Sequence, residues 1–66
     1  MSIEKLKQFR VNFGFKQNQM AQEIGVSASY YYKVESGYQN PSYEFLKKFK
    51  ERFPDASIEH VFFNNK

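Results

Sequence analysis

Sixty-six residues without a cysteine exclude a disulfide frame and a thiolate metal site, and a lone histidine, His60, cannot assemble a zinc site. Stability must therefore come from packing, and eight Phe and five Tyr residues supply the area, each buried ring covering about 150–250 Å². Ten Lys and Arg against seven Asp and Glu leave a net charge of +3, compatible with a polyanionic partner but too small to demonstrate one.

The pattern predicts five short helices and no strand, because no period-two alternation persists. Ser2 is placed to cap a first helix whose Ile3, Leu6, Phe9 and Phe13 recur at three- and four-residue spacing, with Gly14 at its end. A second helix, from about Gln17 to Ile24, buries Met20, Ala21 and Ile24 and stops at Gly25. Phe15 and Met20 stand at the spacing of a hydrophobic staple across its start. Ser27 caps a third helix, residues 28–36, which Gly37 ends.

The segment SGYQNPS, Ser36 to Ser42, is a turn by composition; Pro41 cannot extend the preceding helix and Ser42 can cap the next. That fourth helix is expected to carry Leu46, Phe49 and Phe53 inward and Lys47, Lys48 and Lys50 outward, with Pro54 closing it. A last short turn, capped by Ser57, offers Ile58, Val61 and Phe62. With no linker, repeat or low-complexity stretch, residues 1–66 are expected to form one all-α domain. No charged-then-apolar leader opens the chain and no apolar run approaches a membrane span, so a cytoplasmic protein is expected.

The informative stretch is QNQMAQEIGVSASYYYKVES, residues 17–36. Two helices crossing at a tight turn need a small residue where their axes approach, and Ala21 sits mid-helix. The turn needs a residue tolerant of positive φ, and Gly25 supplies it. Apolar side chains must anchor the second helix, and Ile24, Val26, Tyr31 and Val34 are placed to do so. No nucleophile–base pair or carboxylate pair stands at working spacing, so an enzyme is not indicated, and nothing implies a cofactor, a metal or a small-molecule ligand.

Arg10, Gln17, Met20-Ala21, Gly25-Val26-Ser27, Glu35-Ser36-Gly37 and Asn40-Pro41-Ser42 together resemble the Cro/C1-type (XRE-like) helix-turn-helix family of phage and bacterial repressors. The resemblance runs over roughly residues 3–62 and implies a lambda-repressor-like, all-α DNA-binding domain with its helix-turn-helix at about 17–36. It implies a transcriptional regulator in the bacterial cytoplasm, nucleoid-associated when bound and encoded by a phage, plasmid or mobile element. By the same resemblance, Ala28, Ser29, Tyr32 and Lys33 face base edges in double-stranded DNA. Lys16, Gln17, Tyr30, Tyr38 and Asn40 are the expected phosphate contacts, and Arg10 and Glu35 form a semi-buried ion pair.

Three departures from the family pattern stand out. Lys16 occupies the usual Ser or Thr cap position before Gln17. Tyr31 replaces an Ile or Val anchor, so its hydroxyl is expected to reach water or a polar partner at the edge of the core. One residue is added around Pro54-Asp55-Ala56.

The function expected is a repressor that binds a palindromic operator as a homodimer, with Ile58, Val61, Phe62 and Phe63 as the dimer surface. A protein-interaction module, antitoxin-like or a partner-regulated adaptor, is the alternative. The salt dependence of binding separates the two.

Overall fold

The computed structural model describes residues 3–63. Helices α1 (Glu4–Asn12), α2 (Gln17–Ile24), α3 (Ala28–Glu35) and α4 (Tyr43–Arg52) are followed by a π-helical turn, Glu59–Phe63. The all-α architecture of five short helical segments is the one the sequence predicts.

Local chemistry accounts for most of the boundaries. Ser27 Oγ accepts from the Tyr30 N–H at 3.1 Å and starts α3; Ser42 Oγ accepts from the Phe45 N–H at 3.1 Å and starts α4. Ser57 Oγ accepts from the His60 N–H at 3.1 Å at the entry to the last turn. Each bond satisfies one of the amide donors that the first helical turn leaves without a partner. At α2 the Lys16 ammonium has no acceptor to offer, and the Gln19 side chain reaches back instead, accepting from the Lys16 N–H at 2.8 Å. Ser2, expected to cap α1, lies outside the described residues. The N-cap position of α1 is Ile3, whose N–H crosses to the Glu35 carbonyl at 2.8 Å.

The joint between α2 and α3 turns on Gly25, at φ +97°. Its N–H and that of Val26 both donate to the Ala21 carbonyl, at 2.8 and 3.0 Å. A Cβ at residue 25 would meet nothing within 4 Å, so the demand for glycine is conformational rather than steric crowding. An L side chain held at that φ costs about 1–2 kcal/mol. Lys48 Nζ covers the Gly25 carbonyl at 3.3 Å.

The core is assembled from Leu6, Met20, Tyr31, Val34, Phe45 and Phe49, all fully buried, with Ala21, Ile24, Phe53 and Val61 around them. Phe9, Phe49 and Phe53 form a triangle of rings with centroids 5.1–5.3 Å apart. Phe62 meets Phe45 and Phe49 edge-on at 5.9 and 5.1 Å.

One expectation about this core gains a residue and another is corrected. Helix α4 buries Phe45 with Phe49, while Leu46 is only half-buried. Residues 45, 49 and 53 lie four apart and form the buried stripe, with Leu46 packed against the core at its margin. Phe13 is 51% exposed, although its ring stacks on Phe15 at 5.7 Å. The lysines of α4 are also more engaged than an outward, solvated face would have them: Lys48 is half-buried, and Lys50 Nζ donates to the Ala56 carbonyl at 2.6 Å.

Candidate nucleic-acid interface

The residues that position α3 converge on Glu35, which is 4% exposed. Arg10 from α1 donates through Nε to Oε2 at 2.8 Å and through a terminal nitrogen to Oε1 at 3.4 Å. The other terminal nitrogen holds the Phe15 carbonyl at 2.9 Å. Gln17, opening α2, donates its Nε2 to Oε1 at 2.7 Å, and Tyr31 donates its hydroxyl to Oε2 at 2.7 Å. With the Ile3 N–H on its main-chain oxygen, Glu35 ties α1, α2 and α3 together. Among the described residues no buried side-chain nitrogen or oxygen lacks a partner.

The ion pair of Arg10 and Glu35 thus has the geometry expected for it, and two members of its network are additions. Tyr31 lies fully inside the core rather than at its edge, and its hydroxyl is satisfied by Glu35 one turn on. The four-residue spacing of Tyr31 and Glu35 was the available signal for that bond. Gln17 is held by the same carboxylate, which fixes its amide at the start of α2.

The electrostatics follow from this geometry. Burial pushes the Glu35 carboxyl up, but hydrogen bonds from Arg10, Tyr31 and Gln17 outweigh it and hold the group below its ordinary value. Burial and the bond to Glu35 push the Tyr31 phenol up, so it stays neutral. As pH falls below about 4.5, the ordinary glutamate value, the unfolded chain binds a proton at residue 35 that the folded chain still refuses. Glu35 therefore contributes stability that is present above that pH and lost as pH falls through the folded-state value. Urea midpoints of the unaltered chain and of Glu35→Gln, followed from pH 7 to pH 3, should show the steeper decline in the unaltered chain; parallel curves would contradict this role.

With Tyr31, Val34 and Glu35 turned inward, α3 presents Ser29, Tyr32 and Lys33 to solvent. Of the expected base-facing set, Ala28 is half-buried and packs against the core. Lys16 is exposed and Gln17 half-buried, both at the start of α2, while Tyr38, 81% exposed, and Asn40 stand out on the loop after α3. Tyr30 is half-buried, and its hydroxyl accepts from the Ser42 N–H at 3.0 Å. In the expected dimer surface, Val61 is buried at 4% exposure in its own protomer, which leaves it no surface for a second copy. Ile58 and Phe62 are half-buried and Phe63 is 56% exposed.

No group of three or more His, Cys, Asp or Glu side chains among the described residues could hold a metal ion. No helix among them is long and apolar enough to cross a membrane.

A family model described as Helix-turn-helix matches residues 6–54, which takes in most of α1 and all of α2 to α4. The chain belongs to the helix-turn-helix family. Forty-four residues are 48% identical to the HTH-type transcriptional regulator SlrR of Bacillus subtilis (strain 168). That match covers 65% of this chain and 29% of the regulator, so the matched segment spans less than a third of that protein's length. No solved structure matches the chain. In helix-turn-helix terms α2 is the first helix of the motif, the joint at Gly25 is its turn, and α3 is its second helix.

Proposed function

We propose that this helix-turn-helix chain is a sequence-specific DNA-binding regulator of transcription, a repressor that reads a palindromic operator as a homodimer. The observation that carries the reading is the division of α3 into an anchored side and an exposed side. The exposed side bears Ser29, Tyr32 and Lys33 with Ala28 at its margin. The Lys33 ammonium suits guanine O6 and N7, and the Ala28 methyl suits the methyl of thymine. Lys16, Tyr38 and Asn40 flank that face as phosphate contacts. Gln17 joins them, because its amide carries a second N–H beyond the one given to Glu35.

A module this small touches few bases, and a two-fold pair of recognition helices about 34 Å apart reads two half-sites one helical turn apart. Phe63, with the uncovered parts of Ile58 and Phe62, is the surface for that pairing. Occupying a promoter blocks transcription without a further contact surface, which favours repression over activation.

Selection of bound sequences from a random duplex pool tests the reading. A two-fold symmetric consensus with affinity falling steeply with salt is expected. An asymmetric or absent consensus would remove the palindromic operator. Lys33→Ala should weaken the selected site by about 1–3 kcal/mol and relax preference at one base pair. Equal losses on selected and random DNA would instead make Lys33 a backbone contact.

Val11 and Phe13, half-exposed at the end of α1, favour a second reading as a protein-interaction module. Binding of a protein through that apolar surface would show little dependence on salt.

A further inference from the structure

Tyr30 is the residue of α3 that belongs neither to the buried anchor nor to the exposed face. Its ring stands edge-on to Phe45, centroids 5.7 Å apart. Its hydroxyl takes the N–H of Ser42, the residue whose own side chain caps α4. At the other end of the same loop, the Gly37 N–H donates to the Val34 carbonyl and the Gln39 N–H to the Lys33 carbonyl, both at 3.1 Å. The loop is therefore fastened to α3 at both ends, and the exposed Tyr38 and Asn40 lie between the fastenings.

We infer that Tyr30 is a positioning residue: its bond to Ser42 makes the loop of residues 37–42 move with α3 as one body. The Tyr38 and Asn40 phosphate contacts are then fixed in register with the base-reading face. This rests on the DNA-binding reading above. A loop already held in place makes its contacts without the entropy cost of being ordered on binding. The tyrosine oxygen is the acceptor in that bond, and its effect on DNA passes through the loop.

Tyr30→Phe in the full chain keeps the ring on Phe45 and removes only the oxygen. The freed Ser42 N–H sits at an exposed position where water replaces the lost acceptor, so the melting temperature should hold. Amide exchange at Ser42 should accelerate. Affinity for the selected duplex should fall about five- to tenfold. The slope of log affinity against log salt should shrink by about one for each phosphate contact loosened. In a Tyr38→Ala, Asn40→Ala background, adding Tyr30→Phe should change neither quantity further.

An equal loss in both backgrounds would overturn the inference, because the hydroxyl would then touch DNA itself. Unchanged Ser42 exchange would overturn it as well. Failure of the unaltered chain to bind DNA would bring down the functional reading and this inference with it. The Ser42 exchange rate tells that failure apart from a failure of the anchoring.

Discussion

Replacing Arg10 by Met is expected to remove about 3–5 kcal/mol of folding stability, because it strands the Glu35 carboxylate inside the protein. Both side chains are sheltered, at 12% and 6% exposure, so water cannot take over the guanidinium's role. Tyr31 and Gln17 would still donate to the carboxylate, but neither carries a charge. A chain of this length has about 3–10 kcal/mol of stability in total, so the variant should stand near its unfolding threshold at neutral pH. Urea denaturation followed by circular dichroism measures the loss. Adding Glu35→Gln to Arg10→Met should recover part of it by removing the buried charge. A single variant that loses less than about 1 kcal/mol would place the pair among surface ion pairs and refute its burial as the cause.

Phe49→Ala should cost a similar amount, about 3–5 kcal/mol, by a different mechanism. Phe49 is wholly buried and its ring meets those of Phe9, Phe53 and Phe62 at 5.1–5.3 Å. Its removal opens a cavity where α1, α4 and the last turn meet. Phe13→Ala is the matched control: half of that ring is already in water, and its loss should cost only about 1 kcal/mol. Thermal unfolding of the two variants side by side decides the matter. Equal losses would show that the ring cluster does not concentrate its energy at Phe49.

Much of this architecture was readable in the residues because it is locally encoded. The serine caps at residues 27, 42 and 57 and the left-handed Gly25 answer to backbone chemistry within a few residues, and each lies where the sequence predicts it. The depth of burial along α4 was not readable. Phe45 and Leu46 are both apolar and both reach the core, and only packing against the other helices decides that Phe45 is the one fully enclosed.

Tyr31 illustrates the same limit at the site. A phenol is expected to seek the protein's edge, yet a carboxylate brought in through Arg10 gives it an interior partner. The pairing of Arg10 with Glu35 spans 25 residues, and family likeness supplied it where spacing could not. Tyr30, expected on phosphate, also accepts from the Ser42 N–H twelve residues on, a contact that depends on how the loop folds back.

The separation of α3 into two sides has an evolutionary consequence. Residues 31, 34 and 35 hold the helix, and residues 29, 32 and 33 project from it, so no residue of one group serves in the other. Exchanges at exposed positions away from such anchors change stability by about 0.5 kcal/mol or less. The projecting trio can therefore drift through many side-chain combinations while the scaffold stays intact. On the proposed DNA-reading role of that trio, a lineage built on this chain acquires new DNA targets by altering those three codons, without compensating changes in its core.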